Sequence, residues 1–98
     1  MVIVVKNHIP SCNTNAEGEV LLALISDALR DQGQVVLDFT AVPNATSSFV
    51  NSAFVPLLWK HSFPMIKARL RVVNAHPQVA SMIRDRMNYE SHRIPSVA

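Results

Sequence analysis

The chain has 98 residues, 49% of them hydrophobic and 16% charged, with two glycines, one cysteine and a formal net charge of +2. That length suits one domain and no second, since compact domains run to roughly 50–250 residues, and the composition excludes a low-complexity or disordered chain outside its ends. The charge is uneven: residues 1–49 carry Lys6 and Arg30 against five acidic residues, whereas residues 50–98 carry seven basic residues against Asp85 and Glu90, a pattern that suits an anion-binding face or an association between copies.

Val2 to Lys6 is a β-branched run with no polar alternation before Lys6, which predicts a first strand covered on both faces. Its four apolar residues fall far short of a signal-peptide core or of the roughly 20 residues of a membrane span. With a single cysteine and hence no internal disulfide, the expectation is a cytoplasmic protein with no membrane contact. The following HIPSCNTNAEG segment reads as a loop. His8 and Cys12 within it are two ligands where zinc takes three or four, so no metal and no cofactor is expected. A first helix is predicted from near Asn15 to Gly33. Thr14 or Asn15 caps it, Glu17 and Glu19 suit its positive end, and Val20, Leu21, Leu24, Ile25, Ala28 and Leu29 form its apolar stripe.

Val35 to Thr40 is apolar on both faces apart from Asp38 and predicts the central strand of a parallel sheet. Asp38 falls near its carboxyl end, where open α/β sheets place functional groups and where a carboxylate also accepts local backbone hydrogen bonds. Ala41 to Thr46 is a turn. A second helix starts at Ser47 with Thr46 as N-cap, buries Val50, Ala53, Phe54, Leu57 and Leu58, and kinks or ends near Ser52 because Pro56 removes a hydrogen bond. Trp59 and Phe63 are expected to fold over the core. Ala68 to Asn74 alternates, Leu70 and Val72 against Arg69 and Arg71, as an edge strand with one wet face does. Pro77 opens the last helix, with Val79, Met82, Ile83 and Met87 inward. Residues 90–98 lack a stripe and are expected to be a mobile tail, which makes residues 1–89 the domain.

The succession is an α/β chain, a small (βα)n domain with a mainly parallel sheet and helices predominantly on one face. Helices on one face leave apolar side chains of the first two strands exposed on the other, so a second copy or another protein is expected to cover them.

Val36-Leu37-Asp38-Phe39, the turn to Thr46-Ser47-Ser48-Phe49, and Val73-Asn74-Ala75-His76-Pro77-Gln78-Val79 occur in that order over roughly residues 16–88. In these motifs the chain resembles the STAS superfamily of anti-sigma factor antagonists, which carry a V-L-D-L strand, a D-S-S-G-L helix start and a later V-N-x-x-P-x-V segment. Closer still is the bacterial STAS-like family of unknown function, with its similar L-D-F strand and S-F helix start. Thr46 stands where the antagonists have Asp, and Phe49 where they have Gly. Asn51 and Ser52 replace acidic residues common in the STAS-like family.

The resemblance implies a non-enzymatic regulatory or protein-interaction module that acts through the loop before the second helix. It implies Ser47 as candidate phospho-acceptor, with Asp38, Thr46, Ser47, Ser48, Phe49 and Asn51 as the binding loop and an ATPase-like kinase or other regulator as partner. The alternative is a small anionic ligand held at the same helix start. Catalysis is not expected, because no base is specified beside Ser47. Nucleic-acid binding is disfavoured, since the basic residues come without a recognition helix or a row of exposed aromatics.

Overall fold

Three short parallel strands in the order β1-β2-β3 carry the fold of this computed structural model, which describes residues 1–93. β1 is Val2–Val4, β2 Val35–Asp38 and β3 Leu70–Val73, with β2 central as its apolar sequence predicts. Ile3, Leu37 and Val72 lie side by side in register, and so do Val2, Val36 and Arg71 one residue earlier. Because neighbours in register share a face, the first row points into the core while the second faces outward. Ile3, Val35, Leu37 and Phe39 are buried, whereas Val2 is 62% exposed. Val4, Val36 and Asp38 are half-buried and Arg71 is exposed.

The helices therefore cover one face only, which corrects the expectation that both faces of β1 would be covered. Valine suits an open pleated face as well as a buried one, so an unbroken valine run does not discriminate between them. β1 is also shorter than expected. Val5–Asn7 turns into a 3-10 helix that buries Val5.

α1 (Asn15–Gln32) begins with a complete capping box. The Thr14 hydroxyl accepts from the Glu17 backbone N–H, and the Glu17 carboxylate reaches back to the backbone N–H of Thr14. Leu21, Ile25, Ala28 and Leu29 are buried, but Val20, assigned to the same stripe, is 46% exposed. Gly33 ends the helix at φ 81°, a conformation that suits glycine.

α2 (Ser47–Ala53) crosses α1 at Gly18, where a Cβ would lie 2.7 Å from the Phe49 carbonyl oxygen and 2.7 Å from the Ser52 Cβ. Glycine is what permits this approach. As Pro56 predicts, α2 stops early, and Pro56 starts the short α3 (Leu57–Lys60). Trp59 does not fold over the core. It is 65% exposed, because the new turn points Leu57 and Leu58 inward and Trp59 outward.

α4 (Phe63–Arg69), capped by the Ser62 hydroxyl with Pro64 in its first turn, takes Ala68 and Arg69 from the expected strand. The Arg69 guanidinium donates to the carbonyl oxygens of Leu29 and Gly33, satisfying groups left free at the end of α1. α5 (Pro77–Arg93) buries Val79, Ile83 and Met87. It also continues past Glu90, where a tail was expected: the Glu90 carboxylate, itself shielded from water, lies 3.4 Å from Arg86 and 3.3 Å from Arg93 across successive turns of the helix. The rest of that expected tail, residues 94–98, lies outside the described residues. No helix among the described residues is long and apolar enough to cross a membrane.

Candidate functional site

The predicted loop residues fall into two groups: Asp38 at the carboxyl end of β2, tied to the turns after β2 and β3, and Thr46, Ser47, Ser48 and Asn51 along the start of α2. Asp38 Oδ1 accepts from the Thr40 hydroxyl at 2.6 Å, the Thr40 backbone N–H at 2.9 Å and the Asn74 side-chain amide at 3.2 Å. These hydrogen bonds, the Thr40 hydroxyl foremost, hold its carboxyl below the usual carboxylate range. Asp38 thus ties the ends of two strands together. Ala41 at φ 65° and Asn74 at φ 54° turn the chain on either side of it; asparagine tolerates this region, whereas alanine is strained there. Between Ala41–Pro43 and Asn74–His76 lies a shallow cleft of about 420 Å³ whose one titratable lining group is His76.

The start of α2 is held from three directions. Thr46 caps it, its hydroxyl accepting from Phe49 N–H at 3.2 Å and donating to the Asn13 carbonyl at 3.0 Å, while its backbone N–H reaches the Cys12 carbonyl at 3.0 Å. The Gln78 amide on α5 grips the Ala45 peptide on both sides, accepting from its N–H at 2.9 Å and donating to its carbonyl at 3.0 Å. One turn further along, Asn51 accepts from Arg86 Nε at 3.0 Å, joining α2 to α5 again.

Ser47 and Ser48 are exposed between these ties. Phe49 is not. It is fully buried, because the third residue of α2 turns toward α1, so its assignment to the binding loop is corrected to a core role. Gln78 and Arg86 are the residues that sequence reasoning missed. Gln78 lies inside the V-N-x-x-P-x-V-like motif, but nothing in its type announces a contact with Ala45, 33 positions away.

The loop before α1 supports the same corner. Glu17 accepts from the Ser11 hydroxyl and backbone N–H, and these bonds, the hydroxyl first, lower its carboxyl's pKa. Cys12 is buried, and burial together with the Glu17 carboxylate pushes its thiol up to about 11, so at neutral pH it is a small apolar side chain rather than a nucleophile. His8, in the same loop, is exposed.

The basic residues do not form one patch. Arg69 is turned inward onto α1, Arg71 lies on the open sheet face, Arg86 binds Asn51 and Glu90, and Arg93 binds Glu90. Arg86 and Arg93 also flank Tyr89, with guanidinium carbons 5.4 and 5.5 Å from its ring centre.

A family model described as a STAS-like domain of unknown function (DUF4325) matches residues 17–80. No curated protein and no solved structure matches the chain.

Proposed function

The chain belongs to this STAS-like family, and on that premise we propose that it is a non-enzymatic regulatory module of the cytoplasm whose exposed α2 start binds a protein partner. The single observation that carries the reading is the contrast between a firmly held backbone and free side chains at that corner. Thr46 and Gln78 fix where α2 begins and Arg86 holds it one turn further on, while Ser47 and Ser48 stand exposed. A presented surface of this kind loses little conformational entropy on association.

Ser47 is the phospho-acceptor of this proposal. It precedes Asn51 by one helical turn, so the two share a side of α2, and Arg86 already sits against Asn51. A phosphate on Ser47 gains the helix start and a nearby guanidinium as charge partners. The same position suits a switch, because nearly two negative charges would appear on the docking surface. A free small anion is the weaker reading. α2 spans seven residues, and a short helix on an open surface offers a soluble anion little beyond water.

Incubation with ATP and the cognate ATPase-like kinase should label Ser47. Undiminished labelling of Ser47→Ala would remove the phospho-switch, and unchanged partner capture by a Ser47→Arg, Ser48→Arg double variant would remove the docking surface itself. Stabilisation of the unmodified protein by millimolar phosphate, nucleotides or carboxylates in a thermal melt, lost in Ser47→Ala, would favour the anion-binding reading instead.

A further inference from the structure

A second concavity, of about 270 Å³, opens between α4, β3 and α5, and none of its lining comes from residues 38–51. Its interior is apolar. Phe54, Ile66 and Met87 are each under 5% exposed, and Phe63, Leu70 and Ile83 complete the walls. Lys67 and Arg84 are its charged lining residues, both cationic. The Lys67 ammonium is held over the Phe63 ring, 5.1 Å from its centre. Arg84 is loosely engaged, its side chain 65% exposed and its Nε 3.7 Å from Asp85.

We propose that this cavity binds a small apolar carboxylate of the size of a medium-chain fatty acid anion. The hydrocarbon body lies against the half-buried Phe63, Leu70 and Val72, with Phe54, Ile66 and Met87 packed beneath them, and the head sits between Lys67 and Arg84. The charge pattern selects the head, since an apolar hollow rimmed by cations is complementary to an anionic amphiphile and repels a cationic one. The volume selects the body. Clefts for drug-sized molecules run to roughly 300–1,000 Å³, so a single short chain or one ring fits here, and a helix from another protein does not. This ligand is independent of the α2 docking surface, so either reading can fail without the other.

Titration of the isotopically labelled full chain with octanoate, followed by amide NMR, should give saturable shifts at Ile66, Lys67, Ile83, Arg84 and Met87. Affinity should rise from butyrate to octanoate and then level off at dodecanoate, as the cavity fills. A Lys67→Gln, Arg84→Gln double variant should bind octanoate roughly fivefold more weakly at an unchanged urea midpoint, because both side chains are exposed. Equal affinity for octylamine, shifts that never saturate, affinity that keeps climbing with chain length, or sedimentation as a dimer with this cavity in the interface would each overturn the proposal.

Discussion

On its inner side α2 presents Phe49, Val50 and Ala53, all fully buried, to an α1 backbone that comes close because residue 18 is glycine. On its outer side the same seven residues present Ser47, Ser48 and Asn51 to solvent, and Asn51 is the one that another element, through Arg86, takes hold of. The inner side leaves no room for change, whereas the outer side has room and no packing to lose. One short helix thus separates stability from recognition, and substitutions on its two sides should report on different properties.

The sharpest test of the inner side is Gly18→Ala. In an unconstrained helix this exchange stabilises by roughly 0.5–1 kcal/mol. Here the new methyl would lie 2.7 Å from the Phe49 carbonyl oxygen, a backbone atom that cannot rotate away, so the sign should reverse. A loss of about 1–3 kcal/mol in urea unfolding is expected from overpacking. A gain in stability would mean that α1 and α2 are not in close contact.

The next effect belongs to the tie between α5 and the chain entering α2. Gln78→Ala strips both hydrogen bonds from the Ala45 peptide, and Ala45 is only 4% exposed. Leaving those groups without partners should cost about 1–2 kcal/mol. Amide exchange should also quicken at Ala45 and Thr46 but not at Leu21 or Ile25, since the tie acts on the corner and not on the α1 core.

Much of the fold was legible in the sequence where its signals are local. Thr46 as N-cap, Pro56 as terminator, Gly33 as stop and Asp38 at a strand end each follow from one residue's stereochemistry, and the structure places each as expected. The parallel sheet with β2 at its centre followed from the fully apolar Val-Val-Leu run. What stayed hidden depended on residues far apart in the chain. Nothing in the local pattern of α1 marks Gly18, whose neighbours Phe49 and Ser52 lie more than 30 positions away in the chain. The strand expected from Ala68 reaches into α4 because Leu70 and Val72 alternate with Arg69 and Arg71, and the local signals for the helix, the Ser62 cap and Pro64, lie before that alternation begins. Phe49 belongs to the candidate site only by its place in a motif, whereas a bulky aromatic at the third position of a helix beside a core belongs to that core. Glu90 adds nothing to an apolar stripe, and its pairing with Arg86 and Arg93 shows only once the helix is formed.

Two neighbouring residues divide the helix start in the same way. Thr46 closes the cap and anchors to Asn13, so Thr46→Ala should lose about 1 kcal/mol. Ser47, exposed one position later, should change stability by less than about 0.5 kcal/mol when replaced by alanine. Partner binding should follow the opposite order if the outer side is the docking surface. Equal stability losses for the two variants would make Ser47 a structural residue and take away the ground for treating it as a switch.

The smallest expected effect concerns Asp38, whose carboxylate is open to water and therefore well screened. Its folded-state pKa lies below the unfolded value because Thr40 and Asn74 donate to the ionised form. A depressed folded pKa contributes stability above the unfolded carboxylate value, about 3.9, and that contribution is lost as pH falls through the folded value. Asp38→Asn should therefore be less stable than the parent at pH 7, and the difference should shrink as the pH is taken below about 4, where the parent's carboxylate takes up its proton. Glu17→Gln should behave alike, because the hydroxyls of Ser11 and Thr14 lower its pKa in the same sense. Moderate salt should leave most of the Asp38 difference in place, since it arises from hydrogen bonds at 2.6 to 3.2 Å and not from a distant cation. A difference that vanished in salt at pH 7, or one that grew on acidification, would show that Asp38 does not bind β2 to the β3 turn as these contacts require.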